Sequence, residues 1–343
     1  MSERILRCGV VGVGRMGQHH ARVYSQRPDV ELVTVCDVDL ERAEEVTSQW
    51  GGDPVVSVDE LLGMKLDAVT IATPTITHRS LTEPLMSAQV ACLIEKPLAP
   101  DAEEASILVD AAQRSEAVLQ VGHIVRYDPV MQAIRETGFS NPRFIEMDRI
   151  SPMTFRSIDV SVVLDMMIHD LDLLHWLIGQ EPESIHASAV SVLSQAEDVC
   201  NARLIYQNPE QESGCVANVT ASRLAMKTER KIRLISDEMY ISADFVERRG
   251  TVVRKTANAE KMDQVREMLA SGEDLSEVNY LDIIELEELA VGTADALESE
   301  IDDFLQNVRQ GRRPEIDASA GLAAVRTAER IVESARAAGA RMV

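Results

Sequence analysis

A glycine-rich loop between an apolar strand and a helix, close to the start of the chain, restricts the fold more than any other feature. Gly12-Val13-Gly14-Arg15-Met16-Gly17 follows the strand-like run Leu6 to Val13 and opens a helix, the setting in which G-x-G-x-x-G reads as a dinucleotide fingerprint. The glycines permit a tight turn and let a pyrophosphate approach free N–H groups at the positive end of the helix. Gly12, Gly14, Arg15, Met16 and Gly17 are therefore expected cofactor contacts. Asp37 ends the second strand, 20 residues beyond Gly17, where a carboxylate can accept hydrogen bonds from both adenosine ribose hydroxyls and repel a 2'-phosphate. NAD is expected over NADP. Arg42, a cation that could offset this preference, lies inside the next helix rather than directly after the acid. A competing role for Asp37 is capping the helix that begins near Leu40, a task Asp39 could also perform.

The rhythm of the first 123 residues is strand then helix. Apolar runs at Leu6 to Val13, Glu31 to Cys36, Ala68 to Ala72, Ala91 to Glu95 and Val118 to Val121, with a weaker one at Val55-Val56, predict six strands. Ser57-x-x-Glu60 has the capping-box pattern, and Asp101-x-x-Glu104 places an acid at a helix start. This alternation predicts an α/β Rossmann domain with a parallel sheet covered on both faces. After Asp128-Pro129 strands follow one another, at Ala202 to Tyr206, Cys215 to Ala221, Ile232 to Ile235 and Met239 to Phe245, with the polar loop Gln207 to Ser213 between two of them. That pattern predicts an α+β C-terminal domain with a largely antiparallel sheet, entered beside a helix at about Val160 to Ile178. The acidic stretch Ala259 to Ala290 has helical spacing, and helices near Ala296 to Gln310 and Ala318 to Ala338 follow it. The expected division is 1–123 for nucleotide binding and 124–343 for substrate binding and oligomerisation, with the terminal helices free to pack back on the first domain. A sheet with helices on one face leaves its other face open, so a homodimer or homotetramer is expected.

With 34 Lys and Arg against 57 Asp and Glu, the net charge of -23 would repel nucleic acid and anionic membranes, so neither is an expected partner. No apolar run approaches the roughly 20 residues of a membrane span. The N-terminus lacks the basic segment and apolar core of a signal peptide. The five cysteines form no C-x-x-C pair, and Cys8, Cys36 and Cys92 lie in or beside buried strands. A cytoplasmic protein is expected, and no Cys or His spacing suggests a metal site.

The remaining candidates sit at strand ends. Thr73 and Pro74 end the fourth strand, and His78 follows in the next crossover, where a helix-start role competes with cofactor contact. The fifth strand ends Glu95-Lys96-Pro97, which sets a lysine over the ligand crevice. His123 and Arg126 lie at the domain change, Gly122 to Pro129, and Arg126 is a candidate contact for cofactor or substrate. Asp165 and His169, four apart, share a helical face. His175 and Trp176, further along that helix, read as core.

In this order the motifs resemble the glucose-fructose oxidoreductase, inositol dehydrogenase and MocA (Gfo/Idh/MocA) family, and the resemblance covers nearly the whole chain. Members place a glycine loop, a Thr-Pro loop, a Glu-Lys-Pro motif and an Asp-x-x-x-His helix start where this chain has Gly12 to Gly17, Thr73-Pro74, Glu95 to Pro97 and Asp165 to His169. The resemblance implies hydride transfer between a sugar or polyol carbon and nicotinamide, with Glu95 beside the cofactor and Lys96 and His169 on the reacting hydroxyl. An alcohol that gives up hydride must also lose its proton, and histidine suits that task near neutral pH. A lysine ammonium would stabilise the developing alkoxide. Asp165 binds substrate or tunes the histidine in this reading, and Asp172 is a weaker candidate.

Gly122 to Pro129, together with Thr220-Ala221-Ser222-Arg223 and Arg230-Lys231-Ile232-Arg233, looks like the subgroup oxidising the 3-hydroxyl of UDP-N-acetylglucosamine. A basic set in an acidic chain would suit a diphosphate. The chain departs from that subgroup at Val125, Tyr127 and Asp128, where relatives often carry Glu, Phe and Asn. An inositol or free-sugar dehydrogenase is the alternative substrate reading. A regulator that senses NAD without turnover is the alternative of another class, and it is free to lose the lysine and histidine kept here.

Overall fold

Apolar runs too continuous for a half-exposed sheet become parallel strands covered on both faces. The computed structural model describes residues 4–154, 160–207, 214–255, 259–272 and 284–339. Two compact units emerge: Met1–Tyr127 with Val163–Trp176 and Ala294–Glu333, and Asp128–Val162 with Leu177–Thr293 and Ser334–Val343.

In the first unit β1 (Leu6–Val11), β2 (Val30–Cys36), β3 (Asp53–Val55), β4 (Ala68–Ile71), β5 (Ala91–Glu95) and β6 (Leu119–Gly122) form one sheet in the order β3-β2-β1-β4-β5-β6, every pair parallel. All six predicted strands are present. The crossovers carry α1 (Arg15–Gln26), α2 (Leu40–Trp50), α3 (Val58–Leu62), α4 (His78–Ser87) and α5 (Ala102–Arg114). Their starts follow the predicted chemistry: Ser57 Oγ accepts from Glu60 N while donating to the Glu60 carboxylate, and Asp101 accepts from Glu104 N. Such caps satisfy N–H groups that the helix cannot bond internally.

One face of the sheet packs Leu61, Leu85 and Leu108 together with Ile316 and Ala318. The other packs Ala21, Tyr24 and Val46 with Leu297, Ile301, Phe304 and Leu305. The last four belong to a helix late in the chain, so the unit's core draws on both ends of the sequence.

In the second unit α6 (Pro129–Glu136) starts on Asp128, which accepts from Val130 N. Then come β7 (Phe144–Ile150), the helix α7 (Ile168–Ile178) that is shared between units, β8 (Ser184–Val190), β9 (Val199–Tyr206), β10 (Cys215–Ser222), β11 (Glu229–Ile235), β12 (Met239–Asp244) and β13 (Arg249–Lys255). The helix α8 (Ala259–Ser271) and the strand β14 (Ile284–Glu288) follow, and α9 (Ala296–Gln310) with most of α10 (Ala318–Ala337) returns to the first unit. The sheet runs β14-β13-β12-β11-β7-β10-β9-β8, antiparallel throughout except where β7 and β10 pair in parallel. Alternation along the strands buries Ile145, Met147, Ala217, Val219, Ile232 and Leu234 on one face. The opposite face carries partly exposed polar and charged pairs, such as Arg233 with Glu146 at 2.6 Å and Asn201 with Thr220 at 3.0 Å.

Two expectations change. The stretch Ala259 to Ala290 is helical only as far as Ser271, and Ile284–Glu288 is a strand paired with β13, because its alternate residues suit a pleat better than a helix face. Residues 273–283 of that stretch, and 208–213 of the predicted polar loop, lie outside the described residues. The predicted helix from Val160 begins as a wide π turn over Val163–Met167 and becomes α-helical at Ile168. No helix among the described residues is long and apolar enough to cross a membrane.

Candidate active site

Gly12, just past the end of β1, sits at φ +82°, and a Cβ there would lie 2.5 Å from Thr73 Cγ2 and 2.8 Å from Ala72 O. A Cβ on Gly17 would lie 1.9 Å from Gly12 O, so the helix packs on the loop only through glycine. Gly14 differs. An added Cβ there meets nothing within 4 Å, it lines the cavity, and as N-cap it offers α1 no side-chain cap. The first-turn N–H groups are therefore left for a ligand, with no acid in that turn to oppose an anion. This is the fit a dinucleotide pyrophosphate requires.

A cavity of about 740 Å³ opens from this loop, bounded by Gly12, Gly14, Arg15 and Met16, by Asp37, Val38 and Arg42, by Thr73 and Pro74, and by Glu95 and Lys96. Asp37 is 8% exposed; its Oδ2 accepts from Val13 N at 2.8 Å and its Oδ1 from Asp39 N at 3.0 Å. Asp39, not Asp37, caps α2. The carboxylate of Asp37 thus fixes the glycine loop as well as facing the cavity. Arg42 Nη1 stands 3.9 Å from it, closer to the nucleotide wall than its position inside a helix suggested. Strand order places the end of β2 and the end of β5 three strands apart, roughly 14 Å at about 4.8 Å per strand. Asp37 and Glu95 hence mark opposite ends of an elongated site.

At the Glu95 end, Lys96 Nζ donates to Asp165 O at 2.7 Å and to Asp165 Oδ1 at 3.3 Å. The accepting residue sits in the π turn, a geometry that recurs at functional sites. His169 lies half-buried in the first turn of α7, so Asp165 ties the lysine to the segment that carries the histidine. Because Asp165 is in the wide turn and His169 in the α-helix, the simple four-residue spacing does not describe their relation.

His20, which sequence reasoning passed over, is fully buried with Nε2 3.0 Å from Glu95 Oε1. Burial pushes the Glu95 carboxyl up, but the His20 hydrogen bond and charge and the nearby Lys96 outweigh it and hold the group below its ordinary range. The only sequence signal was a histidine one turn into the helix after the glycine loop.

Three other candidates stand away from the cavity wall. His78 is 1% exposed, with Nδ1 3.2 Å from Leu98 O and Nε2 3.0 Å from Thr73 O, so it braces the Thr73 loop, and burial lowers its pKa. Arg126 is 6% exposed, donates to both oxygens of Asp172 at 2.7 and 2.6 Å, and lies 5.9 Å from the Trp176 ring. Asp172 is consumed by that pair, and His123 Nε2 comes to 3.9 Å of it. His175 and Trp176 bond to Thr327 and Glu315, as core and packing residues do.

The basic set expected for a diphosphate does not form one patch. Arg223 is 4% exposed, with Nε 3.0 Å from Asp198 Oδ1 and Nη2 donating to Val160 O and Glu197 O. Lys231 and Arg233 pair with Glu229 and Glu146, and the register turns Arg230 to the other face of the sheet, opposite Arg149. Strand alternation separates neighbours that look clustered in sequence. Among the described residues no three His, Cys, Asp or Glu side chains gather as a metal site.

The parallel β3-β2-β1-β4-β5-β6 sheet, the uncapped glycine-loop helix and Asp37 define a dinucleotide-binding Rossmann protein. Residues 6–123 match the model of an oxidoreductase family with an NAD-binding Rossmann fold, and residues 139–242 match the GFO/IDH/MocA C-terminal domain. The chain belongs to the Gfo/Idh/MocA family and is an NAD-binding oxidoreductase. It is 36% identical over 316 residues to the UDP-N-acetylglucosamine 3-dehydrogenase of Acidithiobacillus ferrooxidans, covering 92% of this chain and 93% of that one. A solved structure of that enzyme superposes with a TM-score of 0.85 at 35% identity, over 98% of this chain and 99% of the other. An inositol 2-dehydrogenase of Rhizobium meliloti is 32% identical over 201 residues, 56% of this chain and 60% of the relative.

Proposed function

We propose that this protein oxidises the 3-hydroxyl of UDP-N-acetylglucosamine with NAD. The supporting observation is the likeness to the Acidithiobacillus ferrooxidans enzyme, 36% identical over 92% of the chain, whereas the inositol dehydrogenases match at 24–32% identity over 52–72% of it. An inositol dehydrogenase is the second reading, favoured by that same 32% identity.

In this reading residues 1–123 are the nucleotide-binding domain and 124–343 the substrate and oligomerisation domain. Gly12, Gly14, Arg15, Met16 and Gly17 hold the pyrophosphate, and Asp37 holds the adenosine ribose. Thr73, Pro74, Glu95 and Lys96 border the nicotinamide, with His78 and Arg126 supporting them from behind. NAD is preferred because Asp37 presents a carboxylate where a 2'-phosphate would have to sit, and Arg42 offsets it only in part. Bound nicotinamide supplies the hydride acceptor. The residues of the chain handle the charge and the proton: Lys96, kept in place by Asp165, stabilises the developing alkoxide, and His169 accepts the hydroxyl proton. We place the protein in the cytoplasm, as a homodimer or homotetramer joined through the open face of the eight-stranded sheet.

The test is NADH absorbance on mixing protein and NAD with UDP-N-acetylglucosamine, with inositol and simple aldoses alongside. Turnover of the nucleotide sugar alone supports the first reading, and turnover of inositol alone replaces it with the second.

A further inference from the structure

Behind Glu95 runs a buried polar chain across three elements. Tyr24 OH on α1 lies 2.8 Å from Thr70 Oγ1 on β4, Thr70 Oγ1 lies 3.4 Å from His20 Nδ1, and His20 Nε2 lies 3.0 Å from Glu95 Oε1. Tyr24, Thr70 and His20 are all fully buried. A carboxylate only accepts, so His20 must donate from Nε2. Its Nδ1 continues the chain to the Thr70 hydroxyl, which in turn meets the Tyr24 hydroxyl. Such a chain holds the orientation of the imidazole and the rotamer of the glutamate.

Two further groups face Glu95. Lys96 follows it just past the end of the strand, and its charge favours the Glu95 carboxylate. Glu300, fully buried on α9, has no hydrogen-bond partner for either carboxyl oxygen among the described residues, and burial followed by the charges of Glu95 and Asp303 pushes its pKa well above the ordinary value. Of these two neighbouring acids, the proton therefore belongs to Glu300. The charge belongs to Glu95, the member that reaches the cavity.

We propose that His20 is a positioning residue that holds the Glu95 carboxylate charge at the nicotinamide end of the cavity, so that the site favours the cationic, oxidised ring over the neutral, reduced one. The inference rests on the reading above that the nicotinamide lies at the Glu95 and Lys96 end. Replacing His20 by an apolar residue removes the side-chain donor to Glu95 and leaves Lys96 to oppose burial and the neighbouring Glu300, which moves the Glu95 carboxyl toward its protonated form.

The experiment measures dissociation constants for NADH, by its fluorescence, and for NAD, by displacement, on the full chain and on His20→Leu, His20→Gln and Thr70→Val. In His20→Leu the ratio of the NAD constant to the NADH constant is expected to rise about tenfold, the scale of one charge acting across roughly 10 Å at an effective dielectric of about 20. His20→Gln, with an amide N–H for Glu95, recovers most of the original ratio, and Thr70→Val raises it by a smaller factor. Equal weakening of both nucleotides in His20→Leu would be a purely structural effect and overturns the proposal, as does an unchanged ratio. If His20→Leu does not fold, an unchanged ratio in Thr70→Val overturns it. Unaltered protein that binds neither nucleotide overturns the cavity reading itself, a result distinct from tight binding with a flat ratio.

Discussion

Lys96 touches Asp165 twice and borders the nucleotide cavity, so its removal should affect chemistry rather than folding. Lys96→Ala is expected to lower kcat by about 100- to 1,000-fold, the range found when one oxyanion donor is lost. The dissociation constant for NAD should stay within a few-fold of the original, measured by steady-state kinetics and nucleotide titration. Asp37 carries two tasks in the proposed reading, since it lines the cavity where the adenosine ribose is proposed to sit and accepts from Val13 N and Asp39 N. Asp37→Ser should therefore weaken NAD while removing the repulsion of a 2'-phosphate beside Arg42. We expect the ratio of kcat/KM for NADP to that for NAD to rise at least about tenfold, the effect of one charge at close range. No change in the ratio would move the ribose contact elsewhere.

Among the elements, the glycine loop and the helix starts make the sharpest predictions. Gly17→Ala places a methyl 1.9 Å from Gly12 O, a clash with backbone that no side chain can relieve, and should cost about 1–3 kcal/mol in urea unfolding. Ser57→Ala removes the cap of α3 and should cost roughly 1 kcal/mol by the same measurement. The parallel sheet was legible because most of its strands are short, largely apolar runs alternating with helical segments, several of which have a recognisable cap. The second unit was harder to read. The strand β7 alternates Glu146 and Asp148 with Ile145 and Met147, a signal that was present and passed over, and β14 sits in a stretch whose acids also fit a helix. At the candidate site the strand-end residues were readable from topology. The separation of Arg223, Arg230, Lys231 and Arg233 depended on register, and His20 depended on a contact with Glu95, 75 residues away. A single chain of letters carries neither.

At the scale of the whole molecule, buried histidines set a pH dependence. His78 and His123 are each 1% exposed, and burial lowers both from 6.5. They stay neutral in the fold and protonate in the unfolded chain. Their contribution to stability is therefore full above pH 6.5 and is lost as the pH falls below it toward the depressed folded values, by up to about 1.4 kcal/mol per pH unit for each. Urea unfolding between pH 5 and 7.5 should show this slope, and His123→Gln should remove one histidine's share. The make-up of the first unit from Met1–Tyr127, Val163–Trp176 and Ala294–Glu333 also bears on how the chain is born. The sheet residues leave the ribosome first, but Phe304 and its neighbours, which close one face of that sheet, are about 170 residues behind, roughly ten to thirty seconds at ~5–20 residues per second. Through that interval the side of the nascent sheet that Phe304 closes is covered only by the helices made before it, and its remaining apolar surface stays open until the late helix arrives.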